Sequence, residues 1–140
     1  MGFFKKSKKE KSSLVEKTWK ITRKCLNLIL EVSKSNYPKE FGGFLRIDNN
    51  LKNIITEIVI LPGTVSGDSH AIFKLHMLPI DFSIVGTVHS HPSFSFNPSD
   101  ADLYLFEKFG KVHIIVAYPF NDYSWKAYNY RGNEIQLDVI

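Results

Sequence analysis

The residues best suited to chemistry are two histidines, a serine and an aspartate that lie within one short segment. The segment begins His89-Ser90-His91, and Ser99 and Asp102 follow a few residues later. Side chains at positions i and i+2 of a β-strand point to the same face, so His89 and His91 can present two imidazoles to one metal ion. With the carboxylate of Asp102 the donor set becomes N, N and O, which leaves one tetrahedral position for water. This set is typical of a catalytic zinc site, since a closed structural site needs a fourth protein ligand.

The neighbouring sequence predicts the elements that must position these side chains. An apolar strand over 84–88 leads into His89, and a helix should begin after the N-cap Ser99 and end at Gly110. The alternative without chemistry is a solvated strand end followed by a capped helix. Capping accounts for Ser99 and Asp102, but it does not account for the paired histidines.

The remaining patterns predict a mixed α/β domain. Ser13 and Glu16 have the form of a capping box, which predicts a helix from Ser13 to about residue 35. An apolar stripe at spacings of three and four supports this helix and consists of Val15, Trp19, Thr22, Leu26 and Ile29. Further strands are predicted over 41–47, 54–61, 71–77, 112–118, 125–130 and 134–140, with a turn at 48–50 and a loop over 62–69.

Length and composition favour one globular domain. The chain has 140 residues, of which 44% are apolar, and Cys25 is its one cysteine. Internal disulfides and a four-cysteine zinc knuckle are therefore excluded. The chain contains no run of 18 apolar residues, and its start lacks the apolar segment of a signal peptide. We therefore expect a cytoplasmic protein without a transmembrane helix.

The positive charge is concentrated at the start of the chain. Residues 1–24 carry nine Lys or Arg and two Asp or Glu, a balance of +7, whereas the remainder carries −3. We interpret residues 1–12 as a basic, flexible N-terminal arm that precedes a domain over 13–140. Contact of this arm with an anionic membrane surface is an alternative, because Phe3 and Phe4 lie beside the lysines. Specific nucleic-acid binding is not expected, since no recognition motif accompanies the arm.

The spacing of the site residues resembles the JAMM motif of the MPN+ metalloproteases. The sequence reads His89-x-His91-Pro92, six residues, Ser99, two residues and Asp102. That family also has a glutamate just after the first helix, and Glu40 occupies this place. The resemblance covers residues 14–140 and implies an MPN/JAMM domain of the cytidine-deaminase-like type, with a central, mostly antiparallel sheet flanked by helices.

The resemblance also implies the role of each site residue. His89, His91 and Asp102 would bind Zn²⁺, and Glu40 would be the general base that takes a proton from the zinc-bound water. Ser99 would donate a hydrogen bond to the oxyanion of the tetrahedral intermediate. From the residues alone, Glu40 is only a charged side chain at a junction between a helix and a strand.

The same resemblance implies a peptidase or isopeptidase that cleaves after the Gly-Gly tail of a ubiquitin-like or sulfur-carrier protein. The segment 78–83 is too short for the helix that larger relatives carry there, so the chain is most similar to compact, stand-alone archaeal members. Insertions that confer linkage selectivity are absent from the sequence. The alternatives are a non-catalytic MPN scaffold for protein interaction and an enzyme that removes a small adduct or a short extension from a carrier protein.

The other candidate side chains have structural interpretations. His70, His76 and His113 stand apart from further ligands and are expected on the surface or in the core. Cys25 is expected to be a small buried residue of the first helix. The oligomeric state is not indicated by any pattern in the sequence.

Overall fold

The computed structural model describes residues 18–60 and 81–140. Within these ranges a curved sheet packs against two helices. The strands are β1 (Trp19–Ile21), β2 (Gly42–Ile47), β3 (Ile54–Ile60), β4 (Ile84–His91), β5 (Val112–Ala117), β6 (Trp125–Tyr128), β7 (Glu134–Ile135) and β8 (Leu137–Val139). The helices are α1 (Arg23–Asn36) and α2 (Asp100–Lys108).

The sheet is mixed, and its strand order is β7-β6-β5-β4-β2-β3-β1-β8. Four of the seven strand pairs in the described residues are antiparallel, whereas β1–β3, β1–β8 and β4–β5 are parallel. The two ends of this order, β7 and β8, are separated in the chain by Gln136 alone. The sheet must therefore curve until its two edges meet at that residue. The predicted mixed α/β class with a mostly antiparallel sheet is confirmed.

The first helix begins later than the sequence pattern predicts. Thr22 is its N-cap, and the Thr22 hydroxyl accepts a hydrogen bond from the amide of Cys25 at 3.1 Å. Trp19 belongs to β1, which pairs in parallel with both β3 and β8. The predicted helical start was wrong here because a short apolar stretch fits a strand as well as a helix. Pairing with two neighbouring strands favours the extended conformation for this segment. Ser13, together with the predicted domain start, lies outside the described residues.

The largest cluster of buried apolar side chains joins α1 to one face of the sheet. Leu26 and Ile29 of the predicted stripe are almost completely buried, as are Val88 of β4 and Ile114 of β5. Each such side chain contributes about 1.5–3 kcal/mol on burial. On the other face β5 packs against α2, so β4 pairs with a strand that is covered on both faces.

The other predicted elements agree with the structure except at the end of the chain. The helix α1 ends at Asn36 as expected, and the hairpin of β2 and β3 is present. The predicted strand over 134–140 is wrong in one respect, because it divides into β7 and β8, which pair with opposite ends of the sheet. The predicted strand over 71–77 and loop over 62–69 lie outside the described residues.

Candidate metal centre

The end of β4 carries the two histidines on one face. His89 and His91 are separated by one residue of the strand, and the imidazole of His89 is almost fully buried. In the antiparallel pairing of β2 with β4, Gly42 lies opposite His89. Continuing this register by two residues places Glu40 opposite His91, on the same face of the sheet.

The first turn of α2 brings the carboxylate to the same place. Ser99 is the N-cap, and its hydroxyl accepts a hydrogen bond from the amide of Asp102 at 3.1 Å. In return, Asp102 Oδ2 accepts the amide hydrogen of Ser99 at 2.9 Å, which completes a capping box. The capping box fixes the carboxylate of Asp102, and within residues 18–60 and 81–140 the O–H of Ser99 donates no hydrogen bond.

The three candidate ligands converge on one point. His89 Nε2 lies 3.0 Å from Asp102 Oδ1, and His91 Nε2 lies 3.3 Å from Asp102 Oδ2. The Nε2 atoms of His89 and His91 are 3.2 Å apart. A tetrahedral zinc ion with bonds of about 2.0–2.1 Å has neighbouring ligand atoms about 3.3–3.4 Å apart. The donor types and their spacing therefore fit Zn²⁺ with a fourth position open to water.

The charges of the group also favour a cation. Burial alone would lower the pKa of His91, but hydrogen bonds to Asp102 and to the Ser95 carbonyl, together with the charges of Asp102 and Glu40, raise it. Burial likewise opposes ionisation of Asp102, yet hydrogen bonds from His89 and His91 hold its pKa far below the usual range. The carboxylate of Asp102 thus stays ionised, and its negative charge favours a cation beside the two imidazoles, either a proton or a metal ion.

The loop after β4 orients His91. Its Nδ1 lies 2.9 Å from the carbonyl oxygen of Ser95, which must accept a hydrogen bond from Nδ1–H. That tautomer leaves the lone pair of Nε2 directed at the shared point. Two further bonds hold the loop, since the amide of Tyr118 donates to the Ser93 carbonyl at 2.9 Å and the hydroxyl of Tyr128 donates to the Phe96 carbonyl at 2.6 Å.

His89 has a different environment. Its Nδ1 is buried and has no hydrogen-bond partner among the described residues. The ring lies beside the buried side chain of Phe106, with a distance of 6.5 Å between ring centroids. The orientation of His89 therefore depends on the contacts of Nε2, which is the atom available to a metal.

Glu40 lies at the rim of this group. It lies two residues before the start of β2, is partly buried, and its negative charge contributes to the raised pKa of His91. Among the described residues, the atoms that converge as metal donors come from His89, His91 and Asp102 and do not include Glu40. Glu40 is thus near enough for its charge to act on His91, and it is not one of the three converging donors.

Two other predicted residues are structural. His113 is completely buried, and burial first of all lowers its pKa to about 4. Cys25 is buried in α1. Burial, and to a lesser extent the charge of Glu57, raises the pKa of its thiol to about 12, so it is an unreactive core residue. His70 and His76 lie outside the described residues. No helix in the described ranges is long and apolar enough to span a membrane.

The sequence analysis did not identify Ser90, Ser95 or Tyr128 as parts of the site. Ser90 alternates with the two histidines along β4 and therefore faces the core, and this alternation was a signal that could have identified it. Ser95 acts through its backbone carbonyl, and Tyr128 contacts the loop from β6, 32 residues away. No local pattern in the sequence indicates either contact.

Comparisons with known proteins agree with this geometry. A family model described as prokaryotic homologs of the JAB domain matches residues 22–129. A relative from Haloferax volcanii named "Probable metalloprotease" is 36% identical over 127 residues, which cover 86% of this chain and 78% of the relative.

Solved structures show the same similarity. One, described as a JAMM metalloprotease-like zinc site in the proteasome and signalosome, is 40% identical, has a TM-score of 0.71, and matches 89% of this chain and 99% of its own. A JAB1/MPN domain protein from Archaeoglobus fulgidus is also 40% identical, with a TM-score of 0.69 and the same coverage. A protein from Desulfitobacterium hafniense, at 17% identity and a TM-score of 0.54 over 88% of this chain and 93% of its own, supports the fold alone.

The curved mixed sheet and the His-His-Asp group at the junction of β4 and α2 define a zinc metalloprotease of the JAMM class. The chain belongs to the family of prokaryotic JAB-domain proteins and is similar to its compact archaeal members.

Proposed function

We propose that this protein is a zinc-dependent peptidase or isopeptidase that hydrolyses the bond after the Gly-Gly tail of a ubiquitin-like or sulfur-carrier protein. The observation that carries the proposal is the convergence of three metal donors at 3.0–3.3 Å, with Glu40 across from His91 and Ser99 at the N-terminus of α2. This arrangement supports the roles that we assign: three metal ligands, a general base and a hydrogen-bond donor for one hydrolytic reaction.

The residues have distinct roles in this reaction. His89, His91 and Asp102 hold Zn²⁺, which when bound polarises a carbonyl group and lowers the pKa of water toward about 7. Glu40 accepts a proton from the attacking water and passes it to the leaving amine. The free O–H of Ser99 donates a hydrogen bond to the oxyanion that develops from the scissile carbonyl.

The burial of the ligands supports a slender substrate segment. His89 and Asp102 are exposed by only 7% and 8%, respectively. A chain that brings little side-chain volume meets the least steric hindrance at such buried ligands, and two successive glycines bring none. The Gly-Gly tail suggested by the family resemblance therefore fits the depth of the site.

The surface beside the site supports a protein as the substrate. Phe94, three residues after His91, is 74% exposed and packs edge-to-face on Tyr118 with ring centroids 5.1 Å apart. Tyr37, which is also exposed, contacts the same Tyr118 ring at 5.0 Å. Exposed aromatic rings are enriched in protein interfaces, so we propose that these rings contact the folded part of the carrier protein.

The experiment measures metal content and cleavage together. Wild type and Glu40→Gln are loaded with zinc and incubated with a ubiquitin-like protein fused to a short peptide through its Gly-Gly tail. Glu31→Gln is the matched control, because Glu31 is an exposed carboxylate of α1 whose contact is a surface ion pair with Lys34. We expect one zinc ion per chain in all three proteins, with cleavage in wild type and Glu31→Gln only.

The possible results separate the alternatives. Cleavage by Glu40→Gln at the wild-type rate would refute the role of Glu40 as the base. Bound zinc with no cleavage by wild type would favour a smaller adduct as the substrate. Failure of wild type to bind zinc would support a non-catalytic scaffold.

A further inference from the structure

Just before β2, the residue pair Phe41 and Ser90 does not form the usual two backbone hydrogen bonds of an antiparallel pair. The amide of Ser90 donates to the carbonyl of Phe41 at 2.9 Å, as in an ordinary antiparallel pair. The amide of Phe41, however, donates to the side-chain hydroxyl of Ser90, also at 2.9 Å. Both residues are almost completely buried, with 1% exposure each. Ser90 thus holds both backbone groups of Phe41 in a place that water does not reach.

The position of this contact relates it to the site. Phe41 directly follows Glu40, and Ser90 lies between His89 and His91. Because side chains alternate along a strand, Ser90 points to the core while the two histidines point to the metal position. The Ser90–Phe41 contact therefore joins the segment that carries the base to the strand that carries two ligands. It does so on the core face of the sheet, opposite the face that carries the histidines.

A hydroxyl is required for the second bond. Alanine or valine at position 90 would leave the amide of Phe41 buried without its acceptor, and buried amides are nearly always hydrogen-bonded. The segment before β2 would then have to move until that amide finds water or another acceptor. Glu40, one residue earlier, would move with it, whereas His89 and His91 remain held by β4 and β5.

We propose that Ser90 is a positioning residue. Its hydroxyl accepts the amide hydrogen of Phe41 and thereby fixes the position of Glu40 relative to His91. The proposal rests on the proposed function, because it gives Glu40 the role of general base. Ser90 does not contact the substrate or the metal. Its effect therefore falls on the rate of the chemical step and not on zinc binding or substrate affinity.

The test compares Ser90→Thr with Ser90→Val in the zinc-loaded full chain, using the Gly-Gly fusion described above. These two side chains have nearly the same shape, but only threonine retains the hydroxyl. A displacement of about 1 Å in a catalytic group typically costs about a hundredfold in rate. We expect Ser90→Val to lower kcat by about ten- to a hundredfold with unchanged KM and one zinc per chain, and Ser90→Thr to stay within about threefold of wild type.

Ser124→Ala is the matched control. Ser124 is also buried, and its hydroxyl likewise accepts a backbone amide hydrogen, from Asn121 at 2.7 Å, but within the turn before β6. Loss of this bond should lower stability and leave kcat unchanged. An equal loss of kcat in Ser124→Ala and Ser90→Val would show a general effect of destabilisation and overturn the proposal.

Hydrogen exchange of the Phe41 amide gives a second measurement that does not depend on cleavage. We expect protection in wild type and Ser90→Thr, and its loss in Ser90→Val. Equal protection in all three proteins, or equal kcat values in an active enzyme, would overturn the role of Ser90. If wild type cleaves no fusion, the proposed function fails, and exchange still decides whether Ser90 fixes the segment that carries Glu40.

Discussion

The stability of the protein should depend on pH through one buried histidine that is not among the candidate metal ligands. His113 is completely buried in β5 and stacks on Phe106 with ring centroids 4.3 Å apart. Its Nε2–H donates to the Gly110 carbonyl at 3.0 Å, and its Nδ1 lies 2.7 Å from the hydroxyl and 3.2 Å from the amide of Thr87. The neutral ring therefore uses both nitrogens, because Nδ1 accepts the amide hydrogen of Thr87.

Protonation of His113 lowers the free energy of unfolding, because the charged ring is buried in the folded protein. Burial, together with the nearby charge of His89, lowers the pKa from 6.5 to about 4, although the bond to the Gly110 carbonyl acts in the opposite direction. The unfolded chain then binds more protons than the folded chain between these two pKa values. Stability from the neutral ring is complete above pH 6.5 and is lost as the pH falls toward 4. Linkage gives a loss of about 2 kcal/mol between about pH 7.5 and about pH 5.

Urea unfolding at these two pH values, with a chelator present, measures the effect. We expect the free energy of unfolding of wild type to fall by about 2 kcal/mol more than that of His113→Gln, because the variant has no ring to protonate. Ile115→Val is the control, since Ile115 is buried on the same strand. It should cost about 1 kcal/mol at both pH values and keep the wild-type dependence on pH. If wild type and His113→Gln show the same dependence, the reasoning is refuted.

Two further changes test how the metal ligands are held. Asp102→Asn retains an oxygen that can accept the Ser99 amide hydrogen but removes the negative charge between the two histidines. We expect zinc affinity, measured by chelator competition, to fall at least about a hundredfold. Unchanged affinity would exclude Asp102 as a ligand. Tyr128→Phe removes the hydrogen bond to the Phe96 carbonyl and loosens the loop whose Ser95 carbonyl orients His91. We expect zinc affinity to fall about tenfold in Tyr128→Phe, and an affinity equal to that of wild type would contradict this role of the loop.

The candidate ligands are held by hydrogen bonds that also stabilise the elements carrying them. The ligands come from the end of one strand and the start of the next helix, and each of these ends is fixed by its own hydrogen bonds. The capping box serves α2 and orients Asp102 at the same time. The Ser95 carbonyl similarly holds a loop and selects a tautomer of His91. The metal centre is therefore built largely from contacts that local structure already requires.

Several features could be predicted from the sequence because they depend on neighbouring residues alone. The spacing His89-x-His91 fixes a common face of a strand, and the Ser99–Asp102 spacing fixes a capping box, whatever the rest of the fold. Gly110 ends its helix segment with φ of 117°, a backbone conformation that glycine adopts without strain. Such features involve hydrogen bonds or steric contacts over short distances.

Where sequence reasoning failed, the outcome depended on distant strands. Trp19 follows a helical spacing, yet it lies in β1 because β3 and β8 both offer their edges to that segment. The last strand divides at Gln136 because the curved sheet presents two separate edges there. Neither the partners nor the curvature are encoded in a short window of sequence.

The sequence by itself determined the chemistry of the donor set, since two imidazoles and a carboxylate within one segment select a zinc-type site. Only the tertiary structure decided the place of Glu40, which is 51 residues from His91 in the chain and is brought opposite it by the continued register of β2 on β4. The same register creates the contact of Ser90 with Phe41. Register is a property of two strands together, and a single residue type cannot specify it.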